Sequence, residues 1–213
     1  MKNIWIFGDS YSDEFNERHD WAKKYIDYKG YKPKNFGDFI NEKSEYKVFN
    51  RAKNGSSNYS ILDEIRDNLK NFQKGDIAII GWTDNVRTRL INNLSFWHDV
   101  LPHCTEALVN KFDNISMKTL EEILVNRDND ATIIEIDSWI LFFKFNFKNY
   151  KFINWSAFDV KYKFLDYSMP LDLETIKQET KGQIPDNHFS ENAHLKLCED
   201  FLNCINNIEK KII

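Results

Sequence analysis

The stretch Asp76-Ile77-Ala78-Ile79-Ile80-Gly81 decides the fold. Its unbroken apolar run, launched by Gly75-Asp76 and stopped by Gly81, is the pattern of a strand covered on both faces, as in a parallel sheet between helices. Immediately upstream, Tyr59, Ile61, Leu62, Ile65, Leu69 and Phe72 recur at helical spacing and read as an amphipathic crossover helix. Before that helix, Tyr46-Lys47-Val48-Phe49-Asn50 reads as a strand. Strand, helix and strand with short connections form a βαβ unit, whose crossover is right-handed almost without exception. Working outward, Ile4-Trp5-Ile6-Phe7 is another short apolar run, and Tyr150-Lys151-Phe152-Ile153-Asn154-Trp155 is a further strand. Residues 192–205 carry Ala193, Leu195, Leu197, Cys198, Phe201, Leu202 and Ile205 in the pattern of an amphipathic closing helix. Segment 116–125 reads as helix, whereas 132–147 mixes β-branched and aromatic residues so evenly that strand and helix both stay open. The expected fold class is α/β, a three-layer α/β/α sandwich around a mostly parallel sheet.

Composition fits one domain spanning residues 1–213. Hydrophobic residues make up 42% and charged residues 29%, too apolar for a disordered chain, and 15% aromatic content makes the core bulky. No repeat, low-complexity tract or Pro/Gly/Ser-rich linker divides the sequence. With 29 Lys and Arg against 33 Asp and Glu, the net charge of −4 offers no general attraction to nucleic acid or anionic lipid, and no basic run is long enough to supply a local one. The expectation is therefore no nucleic-acid and no membrane partner. Cys104, Cys198 and Cys204 cannot all pair and form no C-x-x-C motif, which suits free thiols in a reducing compartment. The apolar run from Ile4 to Phe7 is too short for a signal-peptide core, and no stretch approaches a membrane span. These features place the chain in the cytoplasm by default.

Chemistry concentrates where strands end. The first run passes directly into Gly8-Asp9-Ser10-Tyr11-Ser12-Asp13, setting a serine where open α/β sheets hold their ligands. A helix starting after Ser10 would aim backbone N–H groups at an anion; the plainer reading is that Asp9, Ser10 and Asp13 make a turn and cap a helix. Arg51-Ala52-Lys53-Asn54-Gly55-Ser56-Ser57-Asn58 follows the second strand, Gly81-Trp82-Thr83-Asp84-Asn85-Val86-Arg87 the third, and Pro185-Asp186-Asn187-His188-Phe189-Ser190 leads into the closing helix.

This order resembles the SGNH (GDSL-type) hydrolase family, in wording most like its small bacterial and phage-encoded members, whose sandwich is flavodoxin-like. Gly8-Asp9-Ser10 matches its first block, Gly55 in the run from Gly55 to Ile61 its second, Gly81-Trp82-Thr83-Asp84 its third, and Asp186-Asn187-His188 its last. The resemblance spans the chain in order but rests on about a dozen residues. It implies an ester hydrolase without cofactor or metal, acting on a small-molecule or glycan ester such as an O-acyl (acetyl) group on a carbohydrate. Ser10 takes the nucleophile position, with His188 as base and Asp186 as its orienting acid. The oxyanion hole is formed by Ser10 N–H, Gly55 N–H and a donor from the third block. Two departures stand out. Thr83 occupies the place of the family's asparagine, with Asn85 two residues on as a second candidate donor, and Asp186 precedes His188 by two residues rather than three. They motivate an alternative, an inactive relative kept as a carbohydrate-binding or structural module, including one in a phage particle.

A serine hydroxyl needs a neighbouring base near neutral pH, and histidine is the side chain that titrates there. Gly55 suits a close backbone approach to substrate. Arg87 is read either as a ligand for an anionic or sugar-like group or as one half of a salt bridge to Asp84 or another acid. Asn58 is expected to shape the glycine loop more than to touch substrate. His194 reads as a packing or capping residue and His19 as a surface residue. His98 and His103 lack carboxylates at ligand spacing, and core packing is the default for Trp82, Trp97 and Trp155. The aromatic-rich region between Thr88 and Phe147 is expected to shape a pocket or a partner surface.

Overall fold

The computed structural model describes residues 2–85, 87–91, 97–100, 122, 129–158, 160–168 and 188–210. In chain order the elements are β1 (Asn3–Phe7), α1 (Asp20–Lys29), α2 (Phe36–Lys43), β2 (Lys47–Asn50), α3 (Asn58–Asn68), β3 (Ile77–Gly81), β4 (Thr88–Ile91), β5 (Trp97–Val100), α4 (Asn129–Asn146), β6 (Lys151–Ser156), β7 (Tyr167–Ser168) and α5 (Glu191–Lys210). The main sheet runs β2-β1-β3-β6-β7, and each pair in it is parallel. β4 and β5 form a separate antiparallel hairpin. Of the 116–125 segment, only Glu122, which is helical, is among the described residues.

The fold is the expected three-layer α/β/α sandwich. Alternation along the strands divides the core in two. Ile4, Ile6, Ile77, Ile79, Ile153 and Trp155 face one side, where α2 and α5 cover them with Phe36, Ile40, Leu197 and Phe201. Trp5, Phe7, Ala78, Ile80 and Phe152 face the other, under Ile61 and Ile65 of α3 and Ile136, Ile140 and Phe143 of α4. Both faces of β1 and β3 are thus buried, which explains why these strands read as continuous apolar runs. The ambiguous 132–147 stretch is helical through Asn146, as part of α4. Residues after Ser10 do not start a helix; they make one tight turn, in which Ser12 N–H and Asp13 N–H both donate to Asp9 O, and α1 begins only at Asp20. Among the described residues, no helix is long and apolar enough to cross a membrane.

At the amino ends of β1 and β3 the sheet is locked by a buried carboxylate. Asp76 accepts from Trp5 Nε1 at 2.9 Å, from Gln73 N–H at 3.0 Å, and from the backbone and side chain of Asn3. Burial alone would raise its pKa, but these donors together outweigh that and hold the carboxyl below its usual value. A carboxylate held low when folded gives its full stabilisation above the unfolded pKa and loses it as pH falls through the folded one. Asp76→Ala, which strands several buried donors, should cost about 2–4 kcal/mol at pH 7. Urea titration of the wild type and the variant should show that gap narrowing below about pH 4, as protonation takes the charge from the wild-type carboxyl. A constant gap would assign the loss to packing.

Candidate active site

In this strand order the chain reverses direction across the sheet between β1 and β3, since β2 lies on one side of β1 and β3 on the other. The carboxyl ends of such a pair diverge into loops that leave a crevice, the place where open α/β sheets bind ligands. Gly8-Asp9-Ser10 leaves β1 there, and Trp82-Thr83 leaves β3.

The backbone at this edge is shaped by what fits between the two strand ends. Ser12, fully buried, tucks back against both of them. A Cβ on Gly8 would lie 2.4 Å from Ser12 Oγ, and one on Gly81 would lie 2.6 Å from the same atom. Neither position has room for a side chain while the turn presenting Ser10 is in place. Gly55 is different: its φ of +82° is left-handed backbone, and a Cβ there would meet nothing within 4 Å. Its glycine answers to conformation, and the face it shows is open.

Asp9 ties the three loops together. It is 3% exposed, accepts Tyr11 N–H on Oδ1 at 3.1 Å, and on Oδ2 takes the Thr83 hydroxyl at 2.7 Å and Arg87 Nη1 at 3.4 Å. Arg87 Nη1 also donates to Ser56 O at 2.9 Å, which adds the glycine loop to the cluster. Asn58 completes the tie: its Oδ1 accepts Thr83 N–H at 2.9 Å, and its Nδ2 donates to Thr83 O and to Tyr162 Oη. Both polar ends of the Asn58 amide are therefore spent on joining the second loop to the third. Thr83, in the third of the four strand-end motifs, gives its proton to Asp9 in this arrangement. Of the two readings of Arg87, the geometry supplies the salt bridge, with Asp9 as the acid. Asn85 sits half-buried in the turn after Thr83.

His188 is brought to the same edge from the far end of the chain. Its ring stacks on Trp21 at 4.0 Å between centroids and 4° between planes, and on Tyr11, the residue after Ser10, at 5.2 Å and 20°. The start of α5, three residues on, is pinned by the α1 region: Glu191 N–H donates to Tyr25 Oη, while the Glu191 carboxylate accepts from Lys34 N–H at 3.0 Å and from Tyr31 Oη. Ser10 itself is buried, and its N–H is not among the three that Asp9 takes. Asp186 lies outside the described residues, as do His103 and Cys104 and the side chains of Trp97 and His98.

His194 is buried among Phe15, Phe36 and Phe189. Burial, with the nearby His188 imidazole adding to it, pushes its pKa down to about 3, so it is a neutral packing group at ordinary pH. Trp82 and Trp155 are core residues. His19 is less detached than its sequence setting implies: Nδ1 lies 3.2 Å from Asn54 Nδ2 beside Gly55, and Nε2 lies 3.7 Å from Asp13. Sequence reasoning missed Trp21 and Tyr11 as the rings that hold His188, and Asp9 as the partner of Arg87. The one available signal was Tyr11's position directly after Ser10. Among the described residues, no cluster of His, Cys, Asp or Glu is arranged to hold a metal ion.

Arg87→Met would leave the Asp9 carboxylate buried without its cation and should cost about 3–5 kcal/mol. Thr83→Val, which removes one neutral donor, should cost about 1–3 kcal/mol. Chemical denaturation of the two variants checks the order; equal losses would deny Asp9 its role as the tie.

No family model matches this chain, and no curated protein matches it.

Proposed function

We propose that the chain is a serine esterase of the SGNH type, cleaving an ester such as an O-acetyl group on a carbohydrate. The observation that carries the reading is the stacking of His188 on Tyr11, next to Ser10, at the carboxyl edge of β1 and β3. The His188 imidazole thus lies against the residue that follows Ser10, although the alcohol and the imidazole are 178 positions apart in sequence, and this supports the reading. The substrate class rests on the family resemblance of the four motifs.

In this reading Ser10 Oγ attacks the ester carbonyl carbon while its proton passes to the His188 imidazole. The carbonyl oxygen becomes an oxyanion, met by the N–H groups of Ser10 and Gly55. Collapse of the intermediate breaks the bond to the alcohol, which leaves with the proton from His188, and the acyl group remains on Ser10. Water, deprotonated by the same imidazole, then releases the acid and restores the serine. Asp186 is assigned the task of orienting His188 and stabilising its charged form. Thr83, engaged with Asp9, acts here through the loop it anchors rather than as a third donor. Lack of one oxyanion donor typically lowers the rate about 10²–10³-fold, so turnover should be modest.

A second reading is favoured by that same Thr83–Asp9 bond: a non-catalytic carbohydrate-binding or structural relative, phage-particle modules included. The two separate cleanly. A fluorophosphonate probe should label Ser10, and Ser10→Ala should abolish labelling and lower kcat/KM on nitrophenyl acetate and acetylated sugars by at least ~10³-fold. An unlabelled wild type that binds glycans as well as Ser10→Ala does would establish the second reading instead.

A general base must be unprotonated to act, so the kcat/KM profile should carry an acid limb that depends on the presence of His188. His194, held down to about 3, adds no second step in the range where an esterase is assayed. A pH–rate profile with His188→Gln as the control checks this, and an acid limb retained in that variant would remove His188 from the role.

A further inference from the structure

Helix α4 lacks the one-sided pattern of an ordinary surface helix. Ile136, Ile140 and Phe143 are buried against the sheet, yet Ile134 is 67% exposed, Phe142 44% and Phe145 68%. A helix apolar on all sides belongs inside something larger than the layer it packs on. Beside this stripe, between α3 and α4, runs a groove of about 810 Å³ walled by Leu62, Ile65, Leu69, Trp139, Phe142 and Phe147. None of Ser10, Gly55, Thr83 and His188 lines it.

We propose that a second copy of this chain docks here, with the two α4 helices packed antiparallel about a two-fold axis at Ser138. Three features select this occupant. Projecting side chains and receiving groove adjoin on one helix, and a two-fold pairing lets each copy fill the other's groove, the self-complementarity of an isologous interface. Ser138, exposed and small, sits midway between Ile134 and Phe142, so its position permits close helix approach and sets Ile134 opposite Phe142 of the second copy. Charge agrees with the direction: the first turn of α4 is acidic at Asp130, and the exposed Lys148 follows its last turn, where Lys144 is already engaged by Asp166. Antiparallel pairing brings acidic start to basic end in both halves and opposes the helix dipoles favourably, whereas parallel pairing would set Asp130 against Asp130.

Sedimentation equilibrium of the full chain measures the association. The wild type should sediment at twice the chain mass at tens of micromolar, and Phe145→Glu should weaken self-association at least about tenfold. Asp130→Lys should weaken it about two- to fivefold, and Asp130→Lys combined with Lys148→Glu should recover the loss. Ser138→Cys, a change at an exposed position, should give a disulfide-linked dimer under mild oxidation that joins residue 138 to residue 138, with the wild type as the control for the native thiols. A wild type monomeric at 100 μM and no 138–138 crosslink would overturn the proposal, as would a dimer unaffected by Phe145→Glu. A face found covered by a different protein while the chain alone stays monomeric would overturn it equally. Circular dichroism of each variant keeps loss of fold from counting as loss of association.

Discussion

One buried carboxylate organises the crevice. Asp9 accepts from its own turn through Tyr11 N–H, from the β3 loop through the Thr83 hydroxyl, and from Arg87, which in turn holds Ser56 of the glycine loop. A charge with so little contact with water is tolerable only with such partners, and each partner is fixed in return by the carboxylate it serves. The arrangement gives Thr83 a reason of its own. A hydroxyl is short enough to reach Asp9 from the end of β3, while its main chain is kept in register by the Asn58 amide. What looks from the motif like a lost donor is, in the fold, a gained strut.

The opposite edge of the same two strands repeats the device. Asp76 gathers donors from β1, from Gln73 and from the Trp5 indole, so β1 and β3 are clamped by carboxylates at both ends. The two anions divide the work: one fixes strand register beneath the core, and the other fixes loop geometry above it. Between them the apolar ladder from Ile4↔Ile77 to Phe7↔Ile80 runs without a polar interruption. Rigidity at the crevice thus derives from the sheet, consistent with loops that owe their shape to a few buried hydrogen bonds.

How much of this was legible depended on whether the signal was local. β1 and β3 could be read from four or five adjacent residues, because burial on both faces writes itself as an unbroken apolar run. α4 could not, since a helix apolar on every side has no periodicity to distinguish it from strand. The turn after Ser10 was hidden because the need for Ser12 to tuck beneath two glycines is a constraint between strands, invisible within either. The four loops of the crevice were legible as motifs, whereas their fastenings were not. Asp9 to Arg87, Asn58 to Thr83, and His188 to Trp21 and Tyr11 each join residues from different elements, and sequence spacing carries no trace of such meetings. His19 shows the same limit, reading as surface until Asn54 is placed beside it.

The layer over Ile4 and Ile6 has a bearing on how the chain is made. Those side chains belong to the first strand, yet their cover includes Leu197 and Phe201 of α5. At a synthesis rate of roughly 5–20 residues per second, some ten to forty seconds separate the emergence of the strand from that of its lid. Throughout that interval a half-built sheet presents an uncovered greasy face to the ribosome's surroundings. Its protection while it waits must come from chaperones or from provisional collapse, and any truncation that deletes α5 should fail by aggregation.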